Sequence, residues 1–290
     1  MKPLFSIVIP TYNRGYILWK TIQSVQKQIY PNWELLIIDD GSTDDTKKVV
    51  AQFQQDPRIV YFPIKNGGTA HARNVGLKKA KGEIISYLDS DDIIYENFLS
   101  TAHEVFTKYP DKVFAIPNYN FRAELYDENY HLVDFTEMVL RQTNDVTLED
   151  IFHWKVKCAF GTGLLHKREV IKEGIKWDES LKYFDDWDFV LQLGARFPNG
   201  FVHIPYVLYE YRQRFGTDGT CSNMSYWNFA DGFETIYLKY KDAPLMKGQT
   251  WYPAQVEKYN KKQKEFEAGK IASSVYKYFP DFGKKKEITG

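Results

Sequence analysis

Short apolar runs alternate with helical periodicity along the first 117 residues of this chain. Runs rich in β-branched and aromatic residues predict buried strands, and apolar residues at helical spacing predict the helices between them. The predicted strands are 4–10, 34–38, 59–62, 83–88 and 113–116, and the predicted helices are 15–28, 42–55, 66–79 and 93–109. This alternation indicates an α/β fold with a mainly parallel central sheet and helices on both faces.

The pattern is less regular from residue 118 to about residue 225. Alternation predicts a strand pair in 119–135 and a strand at 202–209, and helical spacing predicts a helix at 186–195. Beyond 226 the pattern is helical, with a Lys-rich, weakly amphipathic helix over 254–278. We therefore predict a domain of 1–225, built from halves of 1–117 and 118–225, and a C-terminal helical extension of 226–290.

Composition narrows the class of protein. A hydrophobic content of 43% and a charged content of 26% are ordinary for a globular chain. Aromatic residues reach 17%, and they either fill the core or line a sugar or nucleobase site. The formal net charge of zero gives no electrostatic footprint for nucleic acid. Cys158 and Cys221 make no disulfide framework and suit a reducing cytoplasm.

The membrane relationship depends on the C-terminal tail. No apolar run approaches the roughly 20 residues of a transmembrane helix, and the first residues lead into a strand instead of a signal peptide. Residues 241–290 hold 11 lysines and 6 acidic residues. Such a tail is either a peripheral contact with anionic lipid or a solvated cover or oligomer contact. We expect a cytoplasmic protein, with peripheral contact at the inner face of the membrane as the open alternative.

Polar clusters follow the ends of the predicted strands, at 10–14, 39–42, 66–68 and 89–91. In open α/β sheets, ligands bind beyond the carboxyl ends of the strands. We therefore expect these clusters to meet at one rim.

The acidic cluster after the fourth strand carries the most specific chemistry. Asp89, Asp91 and Asp92 follow the apolar run 84–88 directly. Hard oxygen ligands of this kind suit Mg²⁺ or Mn²⁺, which usually share their coordination with substrate phosphates. The alternative is that these residues form the N-cap and acidic first turn of the helix at 93–109.

Five segments of the chain carry recognisable motifs: 6–14 (SIVIPTYNR), 37–44 (IIDDGSTD), 66–76 (NGGTAHARNVG), 88–92 (LDSDD) and 184–188 (FDDWD). Taken in this order, they resemble the motifs of the GT-A fold glycosyltransferases of the large inverting family 2. The resemblance is strong over 4–95, clear around 161–222 and absent beyond about 225. It implies a GT-A fold with a nucleotide-binding half of 1–117 and an acceptor-binding half of 118–225.

The resemblance implies a site for a UDP-sugar. It places Asp40 on the base, where a carboxylate can accept the uracil imide N–H. The residues expected around base and ribose are Pro10, Thr11, Tyr12 and Arg14. Further nucleotide contacts are expected from Ser42, Asn66, Gly67, Arg73, Asp89 and Ser90.

The metal is expected at the acidic cluster. Asp91 is the predicted direct ligand of Mn²⁺ or Mg²⁺, and Asp89 would bind the ribose, or the metal through water. Asp92 is predicted to cap the following helix. The ion would stabilise the diphosphate as a leaving group.

The general base is expected near residue 186. Asp186 is the predicted base and Asp185 its paired carboxylate, and Asp185 stands where the family usually has the longer Glu. Asp188 is the competing assignment. The alternative for all these carboxylates is capping of the helix that begins at residue 187.

Two further sets complete the predicted site. Gly161, Thr162 and Gly163 would let the backbone approach the donor sugar, and Trp187 either stacks on the acceptor sugar or lies in the core. Arg212 and Arg214 are predicted to clamp the diphosphate. Arg214 stands where the family frequently has His, which favours a phosphate contact over a metal contact.

We therefore predict an inverting glycosyltransferase that moves a hexose or N-acetylhexosamine from a UDP-sugar to a hydroxyl of a glycan or lipid-linked acceptor. The alternatives are a nucleotide-sugar-binding protein without turnover and a sugar nucleotidyltransferase. The latter would need a Gly-rich basic loop in place of 10–14. A homo-oligomer stays open, and no nucleic-acid partner is expected.

Overall fold

The computed structural model describes residues 3–141, 146–156, 161–216, 226–244, 246 and 251–268. The chain forms two compact units, one of Met1–Asn120 and Leu140–Tyr211 and the other of Phe121–Val139 and Arg212–Gly290. The strands are β1 Phe5–Thr11, β2 Trp33–Asp39, β3 Ile59–Pro63, β4 Ile84–Tyr87, β5 Ile93–Ile94, β6 Phe114–Tyr126, β7 Leu132–Phe135, β8 Val139–Arg141, β9 Leu165–Lys167 and β10 Phe201–Phe215. The helices are α1 Leu18–Gln26, α2 Thr46–Ala51, α3 Thr69–Lys79, α4 Phe98–Lys108, α5 Leu148–Phe152, α6 Asp185–Arg196, α7 Tyr226–Tyr240 and α8 Trp251–Glu267, with a 3₁₀ turn at Arg168–Glu173.

The first four strands form the parallel half of the sheet, as predicted. Their order is β3-β2-β1-β4, with Ile7 opposite Leu35 and Phe5 opposite Ile84. Every residue of β1 is buried, as expected for a parallel strand covered on both faces. Helix α3 packs close to this strand, because a Cβ at Gly76 would collide with the side chain of Val8.

The other half of the sheet runs antiparallel, so the sheet is mixed. The order continues β4-β9-β6-β10-β5, and the pairs β4/β9, β6/β9 and β5/β10 are antiparallel. The parallel arrangement predicted from strand–helix alternation therefore holds up to β4. Beyond β4 the alternation is interrupted, because β5 follows β4 and the strands β6, β7 and β8 follow one another without a helix between them, a pattern that favours antiparallel pairing.

The start of the helix predicted at 93–109 was wrong. Ile94 pairs with Tyr209 of β10, and the N–H of Tyr95 donates to the carbonyl of Leu208 at 2.8 Å. Helix α4 begins only at Phe98, with Asn97 as its N-cap residue. The pairing partner lies more than a hundred residues away along the chain, and local periodicity carries no information about it.

The second unit contains the hairpin from the end of β6 into β7 and the helix pair α7 and α8. Its helices are joined by stacked rings, with Phe229 and Tyr259 at 4.9 Å and Tyr237 and Tyr252 at 3.9 Å between centroids. Helix α8 ends at Glu267, and the predicted continuation to residue 278 lies outside the described residues. In the described ranges, every helix is too short or too polar to cross a bilayer. The division into 1–225 and 226–290 remains a prediction.

Candidate active site

The loops after β1 and β2 are joined by hydrogen bonds through Asn13. Its N–H donates to Ser42 Oγ at 2.8 Å, and its side-chain oxygen accepts the N–H of Thr43 at 2.8 Å. The N–H of Arg14 donates to Thr46 Oγ1 at 3.0 Å. Asn13 adopts a left-handed backbone with φ of 52°, which Asn tolerates better than most residues. The structure thus brings the predicted residues Arg14 and Ser42 to one rim, and Asn13 is a contact that the sequence interpretation missed.

Asp40 organises the loop after β3. Its two carboxylate oxygens accept the N–H groups of Gly67 and Gly68, each at 2.8 Å. Its carbonyl accepts the side-chain amide of Asn66 at 2.8 Å, and its own N–H donates to the carbonyl of Thr11 at 2.8 Å. A carboxylate has room for about four hydrogen bonds, so the predicted contact with the base stays open. The structure adds a second role, because Asp40 fixes the backbone that leads into α3.

Asp39 is buried beneath the loop that follows β2 and fixes it by hydrogen bonds. The sequence interpretation did not assign this role to Asp39. One carboxylate oxygen accepts the N–H of Ser42 at 2.8 Å, and the other accepts the hydroxyl of Tyr61 on β3. Burial and the Asp39 charge raise the pKa of Tyr61 above its ordinary value. The side chains of Asp39 and Asp40 thus connect the loop after β2 with β3 and the loop after it, and the backbone N–H of Asp40 connects this loop to the end of β1. The remaining predicted residues of this rim differ in exposure, since Tyr12 is 47% exposed while Pro10, Thr11 and Ser90 are buried.

Arg73 is the centre of the site. Its guanidinium donates to Asp89 at 2.7 Å and to Asp185 at 2.8 Å, and only 4% of the residue is exposed. Arg73 lies on α3, Asp89 follows β4, and Asp185 opens α6. Three sequence-distant motifs therefore meet at one buried cation, as the rim prediction requires. The two carboxylates raise the pKa of Arg73 against the effect of its burial, so it stays charged.

Asp186 lies beside this ion-pair cluster with an unusual pKa. Burial and the neighbouring charge of Asp185 raise the pKa of Asp186 to about 7, while Arg73 opposes that rise. One carboxylate oxygen accepts the N–H of Trp187 at 2.8 Å. Phe184, which precedes Asp185, adopts a left-handed backbone with φ of 61°, a strained conformation that is typical of functional turns. A carboxyl group with this pKa can accept a proton near neutral pH.

Asp92 does not cap α4, contrary to the prediction, because β5 intervenes and Asn97 is the N-cap residue. The buried Asp92 carboxylate instead accepts the hydroxyl of Thr162 at 2.5 Å. The same hydroxyl oxygen accepts the N–H of Asp89 at 3.0 Å. Thr162 therefore fixes the backbone of the acidic cluster, and the sugar contact predicted for it remains a prediction.

The glycines on either side of Thr162 are needed for close approach. A Cβ at Gly161 would lie 2.6 Å from Asp89 Oδ2 and 2.7 Å from Arg73 Nη2. A Cβ at Gly163, where φ is +85°, would lie 2.5 Å from the ring of Tyr209. The loop therefore lies close against the ion-pair cluster, and its predicted contact with a donor sugar remains a prediction.

The acidic cluster fits a metal that takes only some of its ligands from the protein. The Asp89 side chain keeps 31% exposure, and Asp91 is half-buried beside it. Burial raises the pKa of Asp89, Arg73 lowers it, and the charge of Asp91 raises it further, so bound positive charge would be favourable there. Among the described residues, no group of three or more Asp, Glu, His or Cys side chains is arranged to hold an ion. Water and phosphate oxygens would have to complete the coordination, which is usual for Mg²⁺.

Trp187 lies in the core, which is the second of the two alternatives stated for it. The residue is fully buried, and its indole N–H donates to the carbonyl of Ile151 at 3.0 Å. Its ring packs on Trp154 at 4.6 Å. In this position it anchors the first turn of α6 instead of presenting a face to a sugar.

Arg212 and Arg214 belong to the second unit. Arg212 Nε lies 3.9 Å from the carboxylate of Glu124 within that unit, and both arginines are buried. Their predicted role as a diphosphate clamp remains a prediction.

Comparison with known proteins places this site in context. The model of the family described as Glycosyl transferase family 2 matches residues 6–174. An uncharacterized glycosyltransferase of Rickettsia typhi is 33% identical over 191 residues, which are 64% of this chain and 57% of that protein. The GalNAc(5)-diNAcBac-PP-undecaprenol beta-1,3-glucosyltransferase of Campylobacter jejuni is 42% identical over 102 residues, 34% of this chain and 33% of that protein. The chain thus spans little more than half the length of the first of these relatives.

A solved structure shares the fold. The crystal structure of S. aureus TarS 1–349 in complex with UDP-GlcNAc matches with a TM-score of 0.65, covering 95% of this chain and 75% of that one. The two sequences are 21% identical, so the likeness concerns the fold.

The hydroxyl of Thr162 generates a stability prediction. In Thr162→Val, the shape is kept but Asp89 N–H loses an acceptor and Asp92 loses a donor, in buried surroundings. We expect the free energy of unfolding to fall by about 1–3 kcal/mol for each group left without this partner, as measured by urea denaturation. Thr162→Ser keeps the hydroxyl and should lose only about 1 kcal/mol for the missing methyl group. Equal stability of the Val variant and the wild type would show that this link is not made.

Proposed function

The chain belongs to glycosyl transferase family 2, and from this membership we propose that it transfers a hexose or N-acetylhexosamine, with inversion, from a UDP-sugar to an acceptor hydroxyl. The predicted family and the α/β GT-A fold are confirmed, and the chain is a glycosyltransferase. This favours an enzyme over the binding protein and the nucleotidyltransferase considered above.

The observation that carries the proposal is the ion-pair cluster around Arg73. Asp89 and Asp185 reach the same buried guanidinium from two segments that are distant in the sequence, at 2.7 and 2.8 Å. Transfer with inversion needs the donor diphosphate on one side of the anomeric carbon and a base on the other. The cluster supports this arrangement, because Asp89 belongs to the strand ends of the nucleotide half and Asp185 adjoins Asp186 on α6.

Asp186 is the proposed general base. Its carboxylate takes the proton of the acceptor hydroxyl while that oxygen attacks the anomeric carbon, and the bond between the anomeric carbon and the diphosphate oxygen breaks. A base with a pKa of about 7 is ionised in a large fraction at neutral pH and still binds a proton well. Asp185 acts through Arg73 and through its charge on Asp186, which makes it a positioning residue in this proposal.

Asp91, with Asp89, is the proposed site for Mn²⁺ or Mg²⁺. When bound, a divalent ion supplies Lewis-acid stabilisation of negative charge on the departing diphosphate. Asp40, the 10–14 loop and Ser42 are proposed to hold the uridine, with Asn66 and Gly67 beside them. Arg212 and Arg214 remain the proposed clamp on the diphosphate.

The donor and acceptor are proposed by analogy. A structure of the same fold is a UDP-GlcNAc complex, which supports a UDP-sugar. The name of the Campylobacter jejuni relative describes glucosyl transfer to an undecaprenol-linked saccharide, which supports a saccharide or lipid-linked acceptor. A cytoplasmic location with the Lys-rich tail at the inner face of the membrane would suit such an acceptor.

Asp186→Asn tests the base directly. The amide cannot accept the proton, so we expect turnover of the UDP-sugar to fall by about 10²–10⁴-fold, measured as UDP release with an acceptor present. Binding of UDP should be unchanged, because the residue is not proposed to contact the nucleotide.

Asp188→Asn is the matched control on the same helix. The buried Asp188 carboxylate accepts a hydrogen bond from the side-chain amide of Gln192 at 2.8 Å. We expect the Asp188→Asn variant to retain a turnover rate within a few-fold of the wild type. A large loss in Asp188→Asn together with an active Asp186→Asn would reassign the base.

The pKa of Asp186 predicts the pH profile. Below a pH of about 7 the carboxyl is protonated and cannot act as a base, so kcat/KM should fall about tenfold per pH unit on the acid side and level off above it. Initial rates from pH 5 to 9 in constant-ionic-strength buffers would measure this limb. The Asp188→Asn variant should show the same fall of kcat/KM on the acid side. A profile that is flat between pH 5.5 and 8 would argue against Asp186.

Ligand-dependent thermal unfolding tests the donor and the metal. At about a hundredfold excess over Kd, a UDP-sugar with Mn²⁺ should raise Tm by roughly 5 °C or more, whereas GDP-sugars should have little effect. The chelator EDTA or Asp91→Asn should remove most of the shift. A full shift that survives both treatments would contradict the metal site.

A further inference from the structure

The guanidinium of Arg73 has an aromatic face as well as its two carboxylates. Its central carbon lies 4.3 Å from the ring centroid of Trp177, within the range of a cation–π contact. Trp177 is fully buried. The Nε of Arg73 is buried and makes no hydrogen bond within the described ranges. The two ion pairs and the Trp177 ring are therefore the contacts that orient the plane of this cation.

The backbone of Trp177 is fastened to the helix that carries Arg73. The side-chain oxygen of Asn74 accepts the N–H of Trp177 at 2.9 Å, and its amide donates to the Trp177 carbonyl at 2.9 Å. Asn74 follows Arg73 directly on α3 and is itself buried. An amide side chain that satisfies both backbone groups of one residue fixes the position of that residue closely.

The opposite contact of Trp177 is with the helix that carries the proposed base. Its ring stacks on Phe189 of α6, with centroids 4.4 Å apart and an interplanar angle of 13°. Tyr87, at the end of β4, meets the Trp177 ring edge-on at 4.7 Å. Phe189 lies one turn beyond Asp185 and Asp186, so the stack sets the distance between the first turn of α6 and α3.

We propose that Trp177 is a positioning residue that holds Arg73 against the first turn of α6 and so sets the geometry of Asp186 for proton transfer. This rests on the proposed function of the same site. Among the residues that the structure describes, Asp185 is the residue of α6 that forms an ion pair with Arg73, and an ion pair between two side chains leaves their orientation loosely defined. A rigid indole held by Asn74 and Phe189 removes that freedom. Small displacements at such a site have large effects on rate.

The test compares Trp177→Leu and Trp177→Phe with Trp33→Phe. Trp33 is a matched control, because it is also buried and also lies under a guanidinium, that of Arg58 at 3.7 Å, on a part of β2 outside the proposed machinery. We expect Trp177→Leu to lower kcat by about tenfold or more, with the KM for the UDP-sugar within about threefold of the wild type. Trp177→Phe keeps a ring and should recover much of the loss. Trp33→Phe should lower Tm to a similar extent as Trp177→Phe and leave kcat unchanged.

The pH profile separates positioning from a general loss of stability. Arg73 lowers the pKa of Asp186, so an Arg73 that is no longer held should move the acid limb of kcat/KM upward by about half a pH unit or more. An unshifted limb and an unchanged kcat in Trp177→Phe and Trp177→Leu would overturn the proposal. If Trp177→Leu does not fold, the Phe variant decides the matter by the same two readouts.

A measurement without turnover distinguishes this proposal from the proposed function. In a double-mutant cycle of Trp177→Phe and Arg73→Met, the coupling should change the unfolding equilibrium constant by about fivefold or more. If Trp177 and Arg73 are coupled but the protein transfers no sugar from any donor, the proposed function is wrong and the contact between the two residues is supported. Active wild type with no coupling and no kinetic change would sink the role of Trp177 alone.

Discussion

Arg73 is a buried cation, and its charge must be neutralised by groups that reach it inside the protein. The guanidinium is almost inaccessible, and its charge would be costly unless carboxylates reach it. They come from the loop after β4 and from the first residue of α6, segments almost a hundred positions apart. The need to pair Arg73 therefore brings the nucleotide side and the proposed catalytic side of the site together. Replacing either carboxylate would leave the buried charge of Arg73 with one partner fewer, a change that strongly lowers the stability of the folded protein.

The parallel strands bring the loops of the site together at one edge of the sheet. β1, β2, β3 and β4 end at the same edge of the sheet, and the loops beyond them hold one another through side chains such as Asp39, Asp40 and Asn13. Most of these bonds use backbone N–H groups as donors, so they fix the course of the chain as well as single side chains. The glycines at 161 and 163 then admit a second loop to the same edge. A site assembled in this way is preorganised, because little of it has to form when a ligand arrives.

The local pattern of apolar and polar residues was enough to predict the four parallel strands and the helices between them, which follow from apolar runs and helical spacing. Asp40 and Asp89 lie in polar clusters at strand ends, where ligands bind in such sheets, whereas the roles of Arg73 and Asp185 came from the resemblance to the family motifs. The missed features depend on distant partners. Ile93 and Ile94 join a strand more than a hundred residues further along the chain, so Asp92 does not have the expected role as a cap. Asn74 lies within the matched segment 66–76, but no role was predicted for it. Trp177 gave no signal, since a buried Trp in a short irregular segment is typical of ordinary core.

The balance of charge in the cluster links donor binding to the state of the base. Arg73 supplies one positive charge, while Asp89, Asp91, Asp185 and Asp186 can supply four negative ones. Burial is the main reason why the pKa of Asp186 rises to about 7, and the neighbouring charge of Asp185 raises it as well. In the proposed reaction, a diphosphate brought to the same edge would add negative charge and raise that pKa further. A counter-cation that arrives with the donor would offset this charge, so the proposed base and the proposed metal site are linked through the same group of carboxylates.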